Sequence, residues 1–208
     1  MNESENSAVS PIWNVPNVLT YFRILFSIAI FAVLPFQCYK TALVLFILGS
    51  LTDFFDGWWA RHFNQVTKLG RIVDPFADKL LVCGTLIYLI TIPELTDFSF
   101  SCYPFKCGLA PWMVVVIVSR ELLVTLLRSM VEGSGGDFSA KWLGKIKMGF
   151  QCFGISACLL YLILLQHGTR AAWVEILMVV CLWGMVYTAV HSCLKYIIAA
   201  TKALKGKV

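Results

Sequence analysis

Four aspartates are the residues of this 208-residue chain best suited to chemistry. Asp53, Asp56, Asp74 and Asp78 lie at the ends of two neighbouring apolar runs. An ionisable side chain at bilayer depth costs about 2.5–3.5 kcal/mol on insertion scales, so its presence indicates a function. Clustered carboxylates repel one another unless cations lie among them, and their oxygens suit hard divalent metals such as Mg²⁺ or Mn²⁺.

The spacing of these aspartates places them on two helix faces. Helical residues three, four or seven apart share a face, so Asp74 and Asp78 lie together on the third apolar run. By the same rule, one face of the second run carries Asp53, Asp56, Gly57 and Ala60. A short loop joins the two runs, and we expect the two faces to meet as metal-binding faces do in helix bundles.

The residues between the aspartates allow two interpretations. Gly57 and Ala60 permit close helix packing, but between carboxylates they indicate a surface that a ligand approaches. Arg61 is either an anchor at the membrane interface or a phosphate clamp. Gly70 either ends the loop or contributes to the site.

Asp74 and Pro75 also fit the start of a helix, with the aspartate as N-cap and the proline in the first turn. That alternative does not account for Asp78, four residues further along. We therefore keep both carboxylates in the predicted site.

The elements that must position these residues are membrane helices. The chain is 59% hydrophobic and 14% charged, with a mean hydropathy of +0.77. These values predict an all-α integral membrane protein. Six apolar runs are long enough to span a bilayer, at about residues 17–36, 41–60, 72–92, 111–130, 146–166 and 172–199. We expect residues 1–10 to be a polar tail and 11–208 a single six-helix membrane domain, with 11–20 lying along the interface before the first span.

Basic residues predict the orientation in the membrane. One set of ends carries Arg61, Lys68, Arg71, Arg128, Lys141, Lys145, Lys147, Lys195, Lys202, Lys205 and Lys207. The opposite loops carry Lys40, Lys106 and Arg170. The asymmetry predicts that both termini and the aspartates are cytoplasmic. The net charge of +5 then reflects topology and an anionic substrate, with no nucleic-acid partner.

Eight cysteines add no metal site, because none has a histidine at zinc-ligand spacing. Five of them fall within apolar runs and are expected to be small core residues. Cys102 and Cys107 fall in an outward loop and are either bridged or reduced.

The aspartates belong to a longer pattern, Asp56-Gly57-x-x-Ala60-Arg61, eight residues, then Gly70-x-x-x-Asp74-x-x-x-Asp78. This pattern resembles the signature of the CDP-alcohol phosphatidyltransferases, and Asp53 matches that family's first metal aspartate. Residues 14–24, 119–128 and 142–147 also look like the bacterial phosphatidylglycerophosphate synthases of this family. The resemblance covers roughly residues 12–166.

The resemblance implies a six-helix bundle, often dimeric, whose site opens to the cytoplasmic leaflet of a bacterial-type inner membrane and holds two divalent metals. It implies that CDP-diacylglycerol and an alcohol give a phospholipid and CMP. By this analogy Asp53, Asp56 and Asp74 hold the metals, and Asp78 contacts the second metal and acts as general base. The residues expected to contact the cytidine diphosphate are Gly57, Ala60, Arg61 and Gly70.

The predicted acceptor follows from a second set of cations. Arg120 and Arg128 are eight residues apart on one helix face, and Lys145 and Lys147 open the fifth run. Together they suit a phosphomonoester, which favours glycerol 3-phosphate over a neutral acceptor. The alternative for the two lysines is interfacial anchoring. Glu121 is a possible orienting partner for Arg120.

Other interpretations remain open at this stage. Arg23 either adds to the cationic pocket or snorkels to the interface. Phosphatidylglycerol, inositol or serine would give the same chemistry with another acceptor. Prenyl transfer usually needs Asp-Asp runs, which this chain lacks, and a cation transporter would commonly show internal repeats and helices broken at mid-bilayer.

Overall fold

A computed structural model describes residues 15–63, 70–99, 107–133 and 141–205. Within those ranges it describes the helical backbone, but not the side chains, at 15–17, 53–63, 70–72, 128, 131–133, 141–146, 199–200 and 202–205. The predicted tail at 1–10 and any Cys102–Cys107 bridge lie outside the described residues. The helices are α1 (Val15–Val33), α2 (Tyr39–Phe63), α3 (Gly70–Leu89), α4 (Pro93–Thr96), α5 (Pro111–Gly133), α6 (Lys141–Gln166) and α7 (Ala172–Lys205), with a 3₁₀ turn at Leu34–Phe36.

Each of the six predicted apolar runs coincides with a long helix of the described chain. Three stretches of the described residues are long and apolar enough to cross a membrane: Val18–Phe36, Lys147–Gln166 and Ala172–Ile198. A shorter apolar helix covers Tyr39–Thr52. The all-α class is therefore observed, whereas six membrane crossings remain a prediction.

The structure bears on one alternative and one expectation about helix starts. Helix α3 begins at Gly70, so Asp74 is not an N-cap and Pro75 lies inside the helix. Pro75 has no N–H to donate to the preceding turn, but the rest of the helix continues past it. At the other start, residues 15–20 of the predicted interfacial segment form the first turns of α1 and are continuous with it, and residues 11–14 of that segment lie outside the described residues.

The end of the bundle away from the aspartates is joined by a side-chain contact. After the 3₁₀ turn, Gln37 adopts a left-handed backbone with φ of 55°, and its N–H donates to the Leu34 carbonyl at 2.9 Å. The Gln166 side-chain amide donates to the Gln37 carbonyl at 2.9 Å. The end of α6 is thereby tied to the turn between α1 and α2.

The helices pack in a closed arrangement in which α3 lies among α1, α5 and α6. Helix α1 packs mainly on α2 and α3, while α7 packs on α5 and α6. The core between them is apolar and includes Phe46, Leu81, Leu86, Ile155, Leu159 and Met178. Large apolar side chains also face outwards, as expected where lipid replaces water, and these include Leu25, Val115, Leu126, Trp173, Val180 and Tyr187.

Glycines set how closely some helices approach. Because lipid tails are as apolar as side chains, association of membrane helices depends on close packing at small residues. A Cβ added at three helical glycines would lie under 3 Å from a side chain of a neighbouring helix. The pairs are Gly84 with Phe31 (2.3 Å), Gly154 with Met185 (2.7 Å) and Gly184 with Phe150 (2.6 Å).

The connection from α4 to α5 is the tightest point of the described chain. The Leu109 N–H donates to the Leu95 carbonyl at 2.9 Å, and the N–H groups of Cys107 and Gly108 both donate to the Phe98 carbonyl. A Cβ at Gly108 would lie 1.9 Å from the Leu95 carbonyl oxygen. Backbone atoms surround this position, so a side chain there forces the connection to move.

We expect Gly108→Ala to destabilise the protein by about 1–3 kcal/mol, because overpacking against backbone cannot be relieved by a rotamer change. The measurement is the midpoint of thermal unfolding of purified protein in detergent. The control is Gly149→Ala within α6, where a Cβ would meet nothing within 4 Å and where alanine favours the helix. Equal midpoints for the two variants would contradict this account of the connection.

Candidate functional site

One end of the bundle contains a cavity of about 330 Å³ between α3, α5, α6 and α7. The described residues that line it are Asp74, Pro75, Asp78, Lys79, Arg120, Glu121, Val124, Thr125, Lys147, Met148 and Tyr196. Four of the sequence-predicted site residues therefore share one cavity: Asp74, Asp78, Arg120 and Lys147. Carboxylates from α3 and cations from α5 and α6 therefore line the same cavity.

The other predicted site residues lie where only the backbone is described. Helix α2 runs without interruption to Phe63, so the helical spacing of Asp53, Asp56, Gly57 and Ala60 holds, and Arg61 follows them on the same helix. Gly70 is the first residue of α3. Arg128 lies in α5 and Lys145 in α6. The positions of these side chains relative to the cavity are outside the described structure.

Asp74 is held by a hydrogen bond from α1. The Thr20 hydroxyl is buried and donates to Oδ1 of Asp74, across 54 residues of sequence. This bond orients the carboxylate at the edge of the cavity and leaves its second oxygen for other contacts. Sequence reasoning gave Thr20 no role in the site; the available signal was a hydroxyl inside an apolar run.

A buried carboxylate organises the cationic side of the cavity. Oε1 of Glu121 accepts hydrogen bonds from Nη1 of Arg120 at 3.3 Å, from Nζ of Lys147, and from Nε2 of Gln151 at 3.1 Å. All four side chains are buried. Isolated charges in such surroundings would be costly, whereas this arrangement pairs them and directs their polar atoms.

Arg120 is fixed from two further directions by α7. Its Nε donates to Oγ of Ser192 at 2.9 Å, and its guanidinium lies 5.7 Å from the centre of the Tyr196 ring. The Ser192 hydroxyl in turn donates to the Ala189 carbonyl at 3.1 Å. The guanidinium plane is thus set by contacts on its edge and its face.

Sequence reasoning missed Gln151, Ser192 and Tyr196 as parts of this network. Gln151 and Ser192 are polar residues within long apolar helices, which is a general signal of an internal partner. Their partners could not be identified, because Ser192 is 72 residues from Arg120 in the sequence.

The structure bears on one of the two roles considered for Arg23. Its side chain on α1 is fully buried, which argues against snorkelling to an interface. Among the described residues that line the cavity, Arg23 is absent, and a contribution to the cationic pocket stays a prediction.

The described carboxylates are two of the four aspartates predicted to bind metal. Asp74 and Asp78 place hard oxygen donors at one edge of the cavity, as Mg²⁺ or Mn²⁺ would require. Within the side chains that are described, no group of three or more His, Cys, Asp or Glu residues converges. Asp53 and Asp56, the other predicted ligands, are not among those side chains.

We expect Glu121→Gln to lower the free energy of unfolding by about 1–3 kcal/mol, because buried Arg120 and Lys147 both lose their anionic partner. The amide keeps the size of the side chain, so the loss reports charge and not volume. Thermal unfolding in detergent measures it.

The matched control is Glu94→Gln, an exposed residue of α4 at the other end of the bundle, for which we expect a change within about 0.5 kcal/mol. A Glu121→Gln midpoint as high as that of the control would show that the carboxylate does not organise these cations.

Comparison with known proteins adds evidence independent of this geometry. A family model described as CDP-alcohol phosphatidyltransferase matches residues 13–192. A Bacillus subtilis protein named CDP-diacylglycerol–glycerol-3-phosphate 3-phosphatidyltransferase is 36% identical over 187 residues, covering 79% of this chain and 89% of the relative. A protein of the same name from Rickettsia felis is 30% identical over 192 residues, covering 91% and 96%. Another, from Salmonella choleraesuis, is 30% identical over 150 residues, covering 69% and 75%.

Proposed function

Since this chain belongs to the CDP-alcohol phosphatidyltransferase family, we propose that it transfers the phosphatidyl group of CDP-diacylglycerol to glycerol 3-phosphate and releases CMP. The family resemblance inferred from the aspartate pattern is confirmed, because the family model spans most of the chain. The relatives that carry the name of this reaction align over about two thirds or more of this chain.

The observation that carries the proposal is the shared cavity. Asp74 and Asp78 of α3 line it together with Arg120 of α5 and Lys147 of α6. A transfer from a diphosphate donor to a phosphorylated acceptor needs two kinds of side chain close together. Carboxylate oxygens hold the metals that bind the donor diphosphate, and cations bind the phosphate of the acceptor. A neutral acceptor such as inositol would not use two buried cations.

The family is generally dependent on divalent metals. We assign two such ions, Mg²⁺ or Mn²⁺, to Asp53, Asp56, Asp74 and Asp78. When bound, they would neutralise the charge of the diphosphate and of the departing CMP. Gly57, Ala60, Arg61 and Gly70 are proposed to contact the cytidine diphosphate, with the two small residues of α2 leaving room for it.

The chemical step is a displacement at the β-phosphorus of CDP-diacylglycerol. The acceptor hydroxyl oxygen bonds to that phosphorus, and the bond from phosphorus to the bridging oxygen breaks, so that the bridging oxygen leaves with CMP. We assign to Asp78 the role of general base that takes the hydroxyl proton. Thr20 holds the neighbouring Asp74 carboxylate in its orientation throughout.

The acceptor phosphate is assigned to Arg120 and Lys147, joined by Arg128 and Lys145 from the same two helices. Glu121, Ser192 and Tyr196 position Arg120 before any substrate arrives. Preorganised cations of this kind lose little side-chain freedom on binding, which favours a small, highly charged acceptor.

We place the domain at residues 11–208 as a six-span bundle in a bacterial-type inner membrane, with both termini and the cavity on the cytoplasmic side, and as a homodimer. The distribution of basic residues supports the orientation. The position of the cavity at one end of the helices fits a site at a membrane surface, because the acyl chains of the donor stay in the bilayer while its cytidine is in water.

We expect purified protein with Mg²⁺ or Mn²⁺ to release CMP from CDP-diacylglycerol with glycerol 3-phosphate, and not with inositol, serine or phosphatidylglycerol. Asp78→Asn should lower the rate by about 10²–10⁴-fold, the usual contribution of a general base. Asp97→Asn, at the far end of the bundle beyond α4, is the matched control and should keep the wild-type rate.

Release with a different acceptor would keep the chemistry but refute the assignment of the cationic side. If no acceptor supports CMP release from folded, metal-supplemented protein, the proposed reaction is wrong.

We expect Thr20→Val to raise the Mg²⁺ concentration for half-maximal activity by about tenfold, because residues that orient metal ligands typically contribute 10–100-fold to metal affinity or activity. Valine keeps the shape of threonine but cannot donate to Asp74. Thr20→Ser, which retains the hydroxyl, should stay near wild type. A Mg²⁺ requirement that is the same in all three proteins would remove Thr20 from the site.

A further inference from the structure

A third cation lines the cavity, and neither the family pattern nor the sequence analysis gives it a role. Lys79 follows Asp78 on α3 and lines the same cavity as Arg120 and Lys147. Its side chain is partly buried, and its Nζ donates to the Pro75 carbonyl oxygen at 3.0 Å. That contact turns the ammonium back along α3, towards the turn that carries Asp74.

Lys79 differs from Arg120 and Lys147 in its ion pairing. Around the cavity, the ion pairs found among the described side chains are Arg120 with Glu121 and Lys147 with Glu121. None of them includes Lys79, whose one described hydrogen bond is to a neutral carbonyl. An ammonium has three donors, so two remain for an anion in the cavity.

A charge count shows what the cavity can bind. Arg120 and Lys147 share the single negative charge of Glu121, which leaves one net positive charge between them. Lys79 adds a second. A phosphomonoester carries a charge of about −1.5 to −2 at pH 7, whereas a phosphodiester carries one negative charge. The carboxylates of Asp74 and Asp78 are assigned to the metals and are not part of this count.

We propose that Lys79 is a specificity-determining residue that contacts the acceptor phosphate and selects a phosphomonoester over a phosphodiester. This inference rests on the proposed function and deepens it, since it names the feature of the acceptor that the cavity recognises. Among the described side chains, Arg120 and Lys147 carry one net positive charge after pairing with Glu121, and Lys79 supplies a further donor that a dianion uses more fully than a monoanion.

The test compares two acceptors that differ by one methyl group: glycerol 3-phosphate and its monomethyl phosphodiester. For each, kcat/KM is measured by CMP release at saturating CDP-diacylglycerol, pH 7.5 and fixed Mg²⁺. Lys79→Met should lower kcat/KM for glycerol 3-phosphate by about tenfold or more, as expected for loss of a charge-assisted hydrogen bond. The value for the diester should change less than about threefold, and the KM for CDP-diacylglycerol should stay at its wild-type value.

Two further variants separate recognition from general effects. Lys79→Arg keeps the charge and should keep most of the preference for the monoester. Lys195→Met removes an exposed lysine of α7, next to the cavity residue Tyr196, and should leave kcat/KM unchanged for both acceptors. If Lys79→Met does not fold, Lys79→Gln is compared in the same way.

If Lys79→Met loses kcat/KM equally for both acceptors, or for neither, the assignment of Lys79 is overturned while the proposed function stays intact. Wild-type protein that releases no CMP with glycerol 3-phosphate would overturn the proposed function, and the role of Lys79 with it. The wild-type measurement alone distinguishes these two failures.

Discussion

The shared carboxylate of Glu121 is the interaction on which the rest of the cavity depends. It joins α5 to α6 through Lys147 and Gln151, and through Arg120 it reaches Ser192 on α7. These contacts link three helices through polar side chains and constrain how each helix is rotated about its axis. In a bilayer, where lipid competes equally for apolar surfaces, buried polar contacts of this kind specify which helix faces meet.

Much of the architecture could be predicted from the sequence, because membrane helices leave a simple signal. Each of the six apolar runs corresponds to a long helix of the described chain. The helix bounds were less accurate: α6 begins at Lys141 and α7 continues to Lys205, beyond the apolar runs. Hydropathy reports the part of a helix that lies in lipid, whereas the backbone hydrogen bonds continue into the polar ends. The sequence also left the position of Pro75 open, because an Asp-Pro pair is compatible both with a helix start and with a proline inside a helix.

The site was predictable only in part, and the limit is physical. Asp74 lies near Asp78 on α3, and Arg120 lies next to Glu121 on α5. Both proximities follow from short spacings along a helix. The contacts that orient these residues come from other helices: Thr20 from α1, Gln151 from α6 and Ser192 from α7. Such contacts depend on the rotation and depth of each helix, which a single sequence does not encode in any local pattern. The polar character of those positions could be noticed, but their partners could not.

The contact between Arg120 and Ser192 also bears on how the protein is made. The two residues are separated by 72 positions, and Ser192 and Tyr196 belong to the last helix. A chain that emerges from the ribosome in order has all of its aspartates long before it has the residues that fix Arg120. The nascent protein therefore lacks the Ser192 and Tyr196 contacts to this guanidinium until synthesis is nearly complete. A product truncated before α7 would contain Asp74 and Asp78, while Arg120 would keep only its contact with Glu121.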